Sequence, residues 1–420
     1  MKILAVTTKS PFPLYEGRAL RTYNLLKETA KRHEVHLLSF IQTPEEVDGI
    51  EHMKQVCASV RALPLYMNGA LPKAYDVLRE LGSASPLMAM KYRTREMRRL
   101  IREALRRESF DLVHLDMLNL AEYIGDLGDV PTVLVEHNVE SALLRRRVEA
   151  ERGAARRAYF DYQLRKLARY EAWACREADH VIAVSDADNQ QLRELSGHTR
   201  VTTIENGVDT AYFQQGARAV RPNSAVFVGG LTWYPNLDAM EYFSTRVLPL
   251  IVDHIPDFEI TVVGKNPPQV LNESVAKNPR IRLAGLVDDV RPYIEQAAVY
   301  LVPLRIGGGT RLKILDALAC GKALISTSVG CEGLDLEPDK HLLVADDPGE
   351  FAAKVVALLS DPARASALGR DGRQAVRERY EWKVIAERLM AVYDACAARE
   401  SGFSKRKDGA APERHALQES

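Results

Sequence analysis

The chain of 420 residues balances 57 Lys and Arg against 57 Asp and Glu, with 46% hydrophobic residues, 27% charged residues and five cysteines. That length exceeds what a single core supports and points to two domains of roughly 200 residues each. Zero formal charge argues against bulk attraction to nucleic acid, so no nucleic-acid partner is expected. Cys57, Cys175, Cys320, Cys331 and Cys396 are scattered, odd in number and without a C-x-x-C pair, which speaks for reduced thiols rather than a disulfide frame or a zinc site. The apolar run in MKILAVTTKSPFP is too short for a signal peptide, and no stretch approaches the roughly 18 residues of a membrane span. A reducing, cytoplasmic setting is the expectation.

Short runs of Val, Ile and Leu alternate with longer helical patterns, the sequence form of parallel strands joined by crossover helices. In the first half the strands are expected at residues 2–8, 34–41, 111–116, 131–136 and 180–185. Residues 91–107 carry eight Lys or Arg against two Glu, and residues 145–169 carry nine against three acids. Such runs are read either as solvated helix faces or as surfaces for anionic lipid headgroups or a pyrophosphate-bearing acceptor. The DAD triplet after HVIAVS resembles a metal-binding D-x-D, yet Ser185 and the acids there suit the cap and first turn of a helix. The seam lies near VTTIENGVDTAYF, giving a first domain over 1–212, followed by the polar linker QQGARAVRPN.

The second half repeats the scheme with SAVFVGG, DFEITVVG, RIRLAG, VYLVPL and KALISTS, giving a second domain over 213–380. A helix over 381–400 follows, and residues 401–420 lack aliphatic periodicity and read as a disordered tail. Fold class is α/β with two doubly wound sheets.

The densest chemistry lies in RIGGGTRLKILDALACGKALISTSVGCEGL, residues 305–334. A helix is expected to begin near Thr310, where free N–H groups offer donors and partial positive charge to an anion. Arg311 and Lys313 add full charge at the helix end that disfavours cations, a placement that a bound anion would justify. Thr310 can cap the helix or bond a phosphate oxygen. Asp316 sits further along an otherwise apolar segment, where its carboxylate can accept two vicinal ribose hydroxyls; a plain surface acid is the alternative. Gly321-Lys322 lacks the remainder of a P-loop, and no G-x-G-x-x-G follows the first strand.

In this order, PFPLYEGRALRTYNLL, RHEVHLLSF, VEHNVES, ADHVIAVSDAD, IENGVDTAYF, VFVGGLTWYPNLDAMEYF, GLVDDVRPYIEQAAVYLVPL and the segment above resemble the glycosyltransferase group 1 family, the large family 4 of sugar transferases. YEWKVIAERLMAVY resembles the helix that returns to the first domain. The resemblance implies GT-B architecture, two Rossmann-like doubly wound parallel-sheet domains facing a central cleft, with the nucleotide-sugar donor held mainly by the second and the acceptor by the first. It implies transfer to a hydroxyl, with retention of configuration, no metal and no cofactor beyond the donor substrate.

Carried over by position, the family's E-x7-E motif falls on residues 308–316: Asp316 stands for the ribose-binding Glu, and Gly308 replaces the Glu that contacts the donor sugar. The usual Arg and Lys after the first strand of the second domain are absent from GGLTWYPN, where Gly230 ends that strand. Arg311 and Lys313 are expected to supply the missing charge, with Gly309 and Thr310 amides beside them to stabilise the leaving diphosphate. Gly17 matches the family's glycine loop facing the diphosphate, and His137 matches a position near the reacting sugar or holds a loop. Lys265 reaches phosphate or solvates a turn, and Leu286 and Val287 lie where the base is held. The acceptor is expected to be a glycan or lipid-linked saccharide in cell-surface polysaccharide or glycoconjugate assembly, with peripheral contact to an anionic membrane at its inner face. A catalytically weak nucleotide-sugar-binding or scaffold protein is the rival suggested by Gly308; an epimerase of the same fold is a third reading.

Overall fold

The computed structural model describes residues 1–14, 17–65, 83, 85–151, 153–265, 275, 277–306 and 312–398. The expected tail at 401–420 lies outside them. Two compact units emerge, Met1–Glu205 with the chain from Ala386 on, and Asn206–Ile385.

The first unit holds a seven-stranded sheet of β1 (Lys2–Thr7), β2 (Glu34–Ile41), β3 (Ser59–Pro64), β4 (Leu112–Asp116), β5 (Thr132–Val135), β6 (His180–Ala183) and β7 (Val201–Thr203). Their order is β3-β2-β1-β4-β5-β6-β7, and every pairing is parallel. Central strands such as β4 are buried along their whole length, which explains why they read as unbroken apolar runs. Helix Gly17–Thr29 connects β1 to β2, and helix Asp186–Ser196 connects β6 to β7. Ser185 caps the latter by accepting from Asp188 N, and Gly197 ends it at φ 67°, as the cap reading of the DAD triplet required.

The second unit holds a six-stranded parallel sheet of β8 (Ser224–Val228), β9 (Glu259–Val263), β10 (Ile281–Gly285), β11 (Val299–Val302), β12 (Ala323–Ser326) and β13 (Leu343–Val344), in the order β10-β9-β8-β11-β12-β13. Phe227, Ile260, Val262, Leu301 and Ile325 from four of these strands meet Phe243, Phe258 and Phe351 in one core. The fold is the α/β pair of Rossmann-like sheets expected from the sequence.

Three strands escaped the sequence reading: β3, β7 and β13 all sit at sheet edges. β3 alternates exposed and half-buried residues and ends in Pro64, and the other two span only three and two residues. Short edge strands buried on one side carry too little apolar signal to stand out.

Candidate functional site

In doubly wound sheets ligands gather outside the carboxyl ends of the strands, beside the point where strand order reverses. In the first unit that point lies between β1 and β4. Asp116 closes β4 in register with Val135 of β5, so the chain emerging from β5 carries His137 past the Asp116 carboxylate. His137 Nε2 lies 2.8 Å from Asp116 Oδ1, and the hydroxyl of Thr22, from helix Gly17–Thr29, donates to Oδ2 at 2.8 Å. Behind them His114 Nε2 lies 3.9 Å from Asp116 Oδ1, and Tyr393, from helix Trp382–Ala397, lies with its hydroxyl 2.6 Å from His114 Nδ1. Burial alone would raise the Asp116 carboxyl, but His137 and His114 hold it well below the usual range. Asp116 therefore stays ionised, and its carboxylate can only accept, so His137 Nε2 is the donor in that bond.

Buried Arg21 reinforces the field, donating to the carbonyls of Ile204 at 2.7 Å and Glu205 at 2.6 Å, with burial pushing its guanidinium down to about 10. Met117, next after Asp116, adopts φ 120°, a conformation that L residues rarely take, and its sulfur accepts from Arg18. Gly17 opens the helix that supplies Arg18, Arg21 and Thr22. Just beyond His137, the carboxylate of Glu171 accepts from the Glu140 amide at 2.7 Å and the Ser141 amide at 3.2 Å, capping the next helix; burial nevertheless pushes this carboxyl up to about 7.

In the second unit the strand ends are tied loop to loop: the Gly229 amide donates to Val263 and the Gly264 amide to Gly285. Gly264 lies at φ 145°, and a Cβ there would come within 2.6 Å of the Gly229 carbonyl carbon and the Gly230 nitrogen. Gly230, Lys265, Leu286 and Val287 thus share one edge of the sheet. Lys265 is exposed, and Leu286 projects with 82% of its surface accessible.

Helix Leu312–Ala319 carries the charge to this edge. Lys313 Nζ donates to Asn236 Oδ1 at 2.8 Å and lies 4.4 Å above the Phe227 ring, while Asn236 donates to the Gly230 carbonyl at 3.0 Å. Asp316 is one turn further on the same face. It is half-buried, its carboxyl has no hydrogen-bond partner among the described residues, and desolvation pushes that carboxyl up to about 8. Arg305 is engaged by Asp238 through contacts of 2.6 and 3.1 Å. Gly308, Gly309, Thr310 and Arg311 lie outside the described residues. Elsewhere, Glu34, His36 and Glu108 converge within 4.8 Å, but Lys2 already sits between the two acids, 2.7 Å from Glu108 and 3.3 Å from Glu34.

A model of glycosyltransferase family 4 matches residues 16–212, and a model of glycosyl transferases group 1 matches residues 222–361. The chain is a group 1 glycosyltransferase. This glycosyltransferase is 20% identical to an uncharacterized 44.6 kDa protein in the cps region of Klebsiella pneumoniae, over 91% of its own length and 97% of the other. It is 28% identical to the phosphatidyl-myo-inositol mannosyltransferase of Mycobacterium tuberculosis over 51% of its own length, and 26% identical to the glycogen synthase of that organism over 53%. The match spans 59% and 56% of those two enzymes, just over half of each. Among solved structures, Anabaena HepE in complex with UDP superposes with a TM-score of 0.66 at 14% identity, covering 94% of this chain and all of that one. Sucrose-phosphate synthase from Thermosynechococcus elongatus gives 0.65 at 20% identity over 95% of this glycosyltransferase and all of the neighbour. At such identities the likeness shows the GT-B fold.

The sequence pointed to His137, Lys313 and Asp316 but not to Asp116, Thr22, His114, Tyr393 or Asn236. Asp116 was within reach, since it is the last residue of a predicted strand and so faces the ligand edge. Tyr393 was not, because nothing in a helical repeat says which strand it will meet.

Proposed function

We propose that this glycosyltransferase moves a sugar from a nucleotide-diphosphate donor, bound at the strand ends of the second unit, to a hydroxyl of a glycan or lipid-linked saccharide bound at those of the first. The observation that carries the reading is the pairing of Lys313 with Asp316 one turn apart. An anchored ammonium at the Gly229 and Gly230 backbone suits a diphosphate, and a carboxyl without a partner suits a pair of ribose hydroxyls. Supporting it, HepE structures contain UDP and UDP-glucose, and a relative is a mannosyltransferase.

In the reaction the bond between the sugar C1 and the phosphate oxygen breaks, the nucleoside diphosphate leaves with the electron pair, and the acceptor oxygen bonds to C1. The acceptor proton passes to the departing phosphate on the same face, giving retention. Lys313, with Arg311, meets the charge that develops on the leaving group, so the reaction proceeds without a metal. His137, held by Asp116, orients the reacting sugar through Nδ1. The acceptor belongs to cell-surface polysaccharide or glycoconjugate assembly at the cytoplasmic face of a membrane.

Gly308 in place of the sugar-contacting Glu favours a second reading, a binding or scaffold protein of the same fold. Thermal shifts with UDP, GDP, ADP and dTDP sugars, repeated on Asp316→Ala and Lys313→Ala, test the donor site. A shift for one nucleotide class that both substitutions weaken supports the first reading when donor turnover accompanies it. Saturable binding without any product supports the second, and no shift for any donor removes both.

A further inference from the structure

The two basic runs of the first unit differ in what their charges do. On helix Arg95–Arg107 four of the six arginines are paired: Arg98 and Arg102 reach Asp126 at 2.7 and 2.6 Å, and Arg99 and Arg107 reach Glu103 at 3.7 and 2.6 Å. The hairpin of helices Glu140–Ala150 and Ala154–Glu177 is different. Its Arg165 pairs with Asp161 at 2.7 Å, and Arg147 lies 4.4 Å above the Phe160 ring, pinning the two helices together. Arg145, Arg146, Arg156, Arg157 and Arg169 are exposed, and none has a side-chain hydrogen bond or ion pair among the described residues. Leu143 and Tyr162 stand among them at 41% and 39% exposure.

The hairpin is also placed by topology. It leaves β5 just after His137 and returns to the start of β6. Its second helix, 24 residues and so about 36 Å long, must span a sheet whose strands there have four residues, about 13 Å. The first turns of that helix therefore overhang the sheet edge that carries His137, and residues 153–158 are exposed on every side.

We infer that this hairpin docks on an anionic phospholipid leaflet, its free arginines meeting headgroup phosphates while Leu143 and Tyr162 enter the interface. Docking there presents the His137 edge to an acceptor anchored in the same leaflet. The inference rests on the reading of a lipid-linked acceptor proposed above.

Sedimentation of the full chain with vesicles of phosphatidylcholine alone, and with phosphatidylglycerol mixed in, tests it at low and raised salt. The chain is expected to pellet only with the anionic vesicles and to come off as salt rises. Each arginine near such a surface contributes roughly fivefold to partitioning, so Arg145→Ala/Arg146→Ala/Arg156→Ala should lower binding on the order of 100-fold. Arg99→Ala/Arg102→Ala/Arg107→Ala removes equal charge from the paired helix and should lower it far less. Wild-type protein that ignores anionic vesicles, or equal losses in the two triple variants, would overturn the inference. Nucleotide-sugar thermal shifts separate this inference from the donor site: a retained shift with lost pelleting in the hairpin variant leaves the donor site standing, whereas pelleting by a wild-type chain that shifts with no donor removes both readings of the donor site and leaves membrane docking standing.

Discussion

His137 Nε2 and the ionised Asp116 carboxylate meet at 2.8 Å, which makes that ring nitrogen the donor. Asp116→Asn preserves the shape but can present its amide N–H to Nε2 and so favour the opposite tautomer. Transfer should fall roughly 10²-fold in kcat with donor affinity unchanged, because the donor site proposed above lies in the other unit. A loss confined to KM for the donor would contradict this role.

Asp316 makes donor binding pH-dependent. Its carboxyl, raised to about 8, is largely protonated at neutral pH, whereas ribose hydroxyls donate to the ionised form. Donor affinity should rise between about pH 6 and 8.5 and then level off. Asp316→Asn should bind the donor more weakly and abolish that slope, which calorimetry across the pH range would show. Since the wild-type folded state resists ionising this group, the stability that the variant gains over wild type should grow steadily from about pH 4 to pH 8 and then level off.

Lys313→Met keeps most of the stem over Phe227 and removes the charge with its bond to Asn236. Donor dissociation constants should rise about tenfold or more, with thermal stability close to wild type. Gly229→Ala should produce the same defect indirectly, because the added Cβ would lie 2.8 Å from Lys313 Nζ and from Asn236 Nδ2. Normal donor affinity in both variants would place the diphosphate elsewhere.

Glu171 predicts a further pH effect of opposite consequence for the apo protein. Its folded carboxyl lies near 7 against 4.5 unfolded, so folding stability is full below about pH 4.5 and declines as pH rises towards 7. Glu171→Gln retains an acceptor for the Glu140 and Ser141 amides without the buried charge. In chemical denaturation the variant should therefore lose less stability than wild type between pH 5 and 8.

Gly207 packs where a Cβ would lie 2.7 Å from the Trp382 ring and 2.9 Å from the Tyr380 carbonyl oxygen. Gly207→Ala should cost about 2 kcal/mol, read as a lowered denaturation midpoint with unchanged slope.

The sequence carried the central strands and the order of the two sheets because fully buried strands leave uninterrupted apolar runs. It carried Asp316 and Lys313 because an acid and a base on an apolar helix are conspicuous. It did not carry Asn236 as the partner of Lys313, or the His114 and Tyr393 support behind Asp116, since those contacts join segments far apart in the chain. Nor could composition distinguish the two arginine-rich helices: the acids that neutralise one of them include Asp126, from a neighbouring segment.

Tyr393 also bears on how the polypeptide is made. His114 belongs to the fourth strand synthesised, yet its ring partner follows 279 residues later, after the entire intervening unit. A nascent chain can form the first sheet early but must wait for helix Trp382–Ala397 before the histidine site is braced. A chain cut short of residue 393 would keep Lys313 and Asp316 and still lose that brace, a point for anyone trimming it for crystallisation.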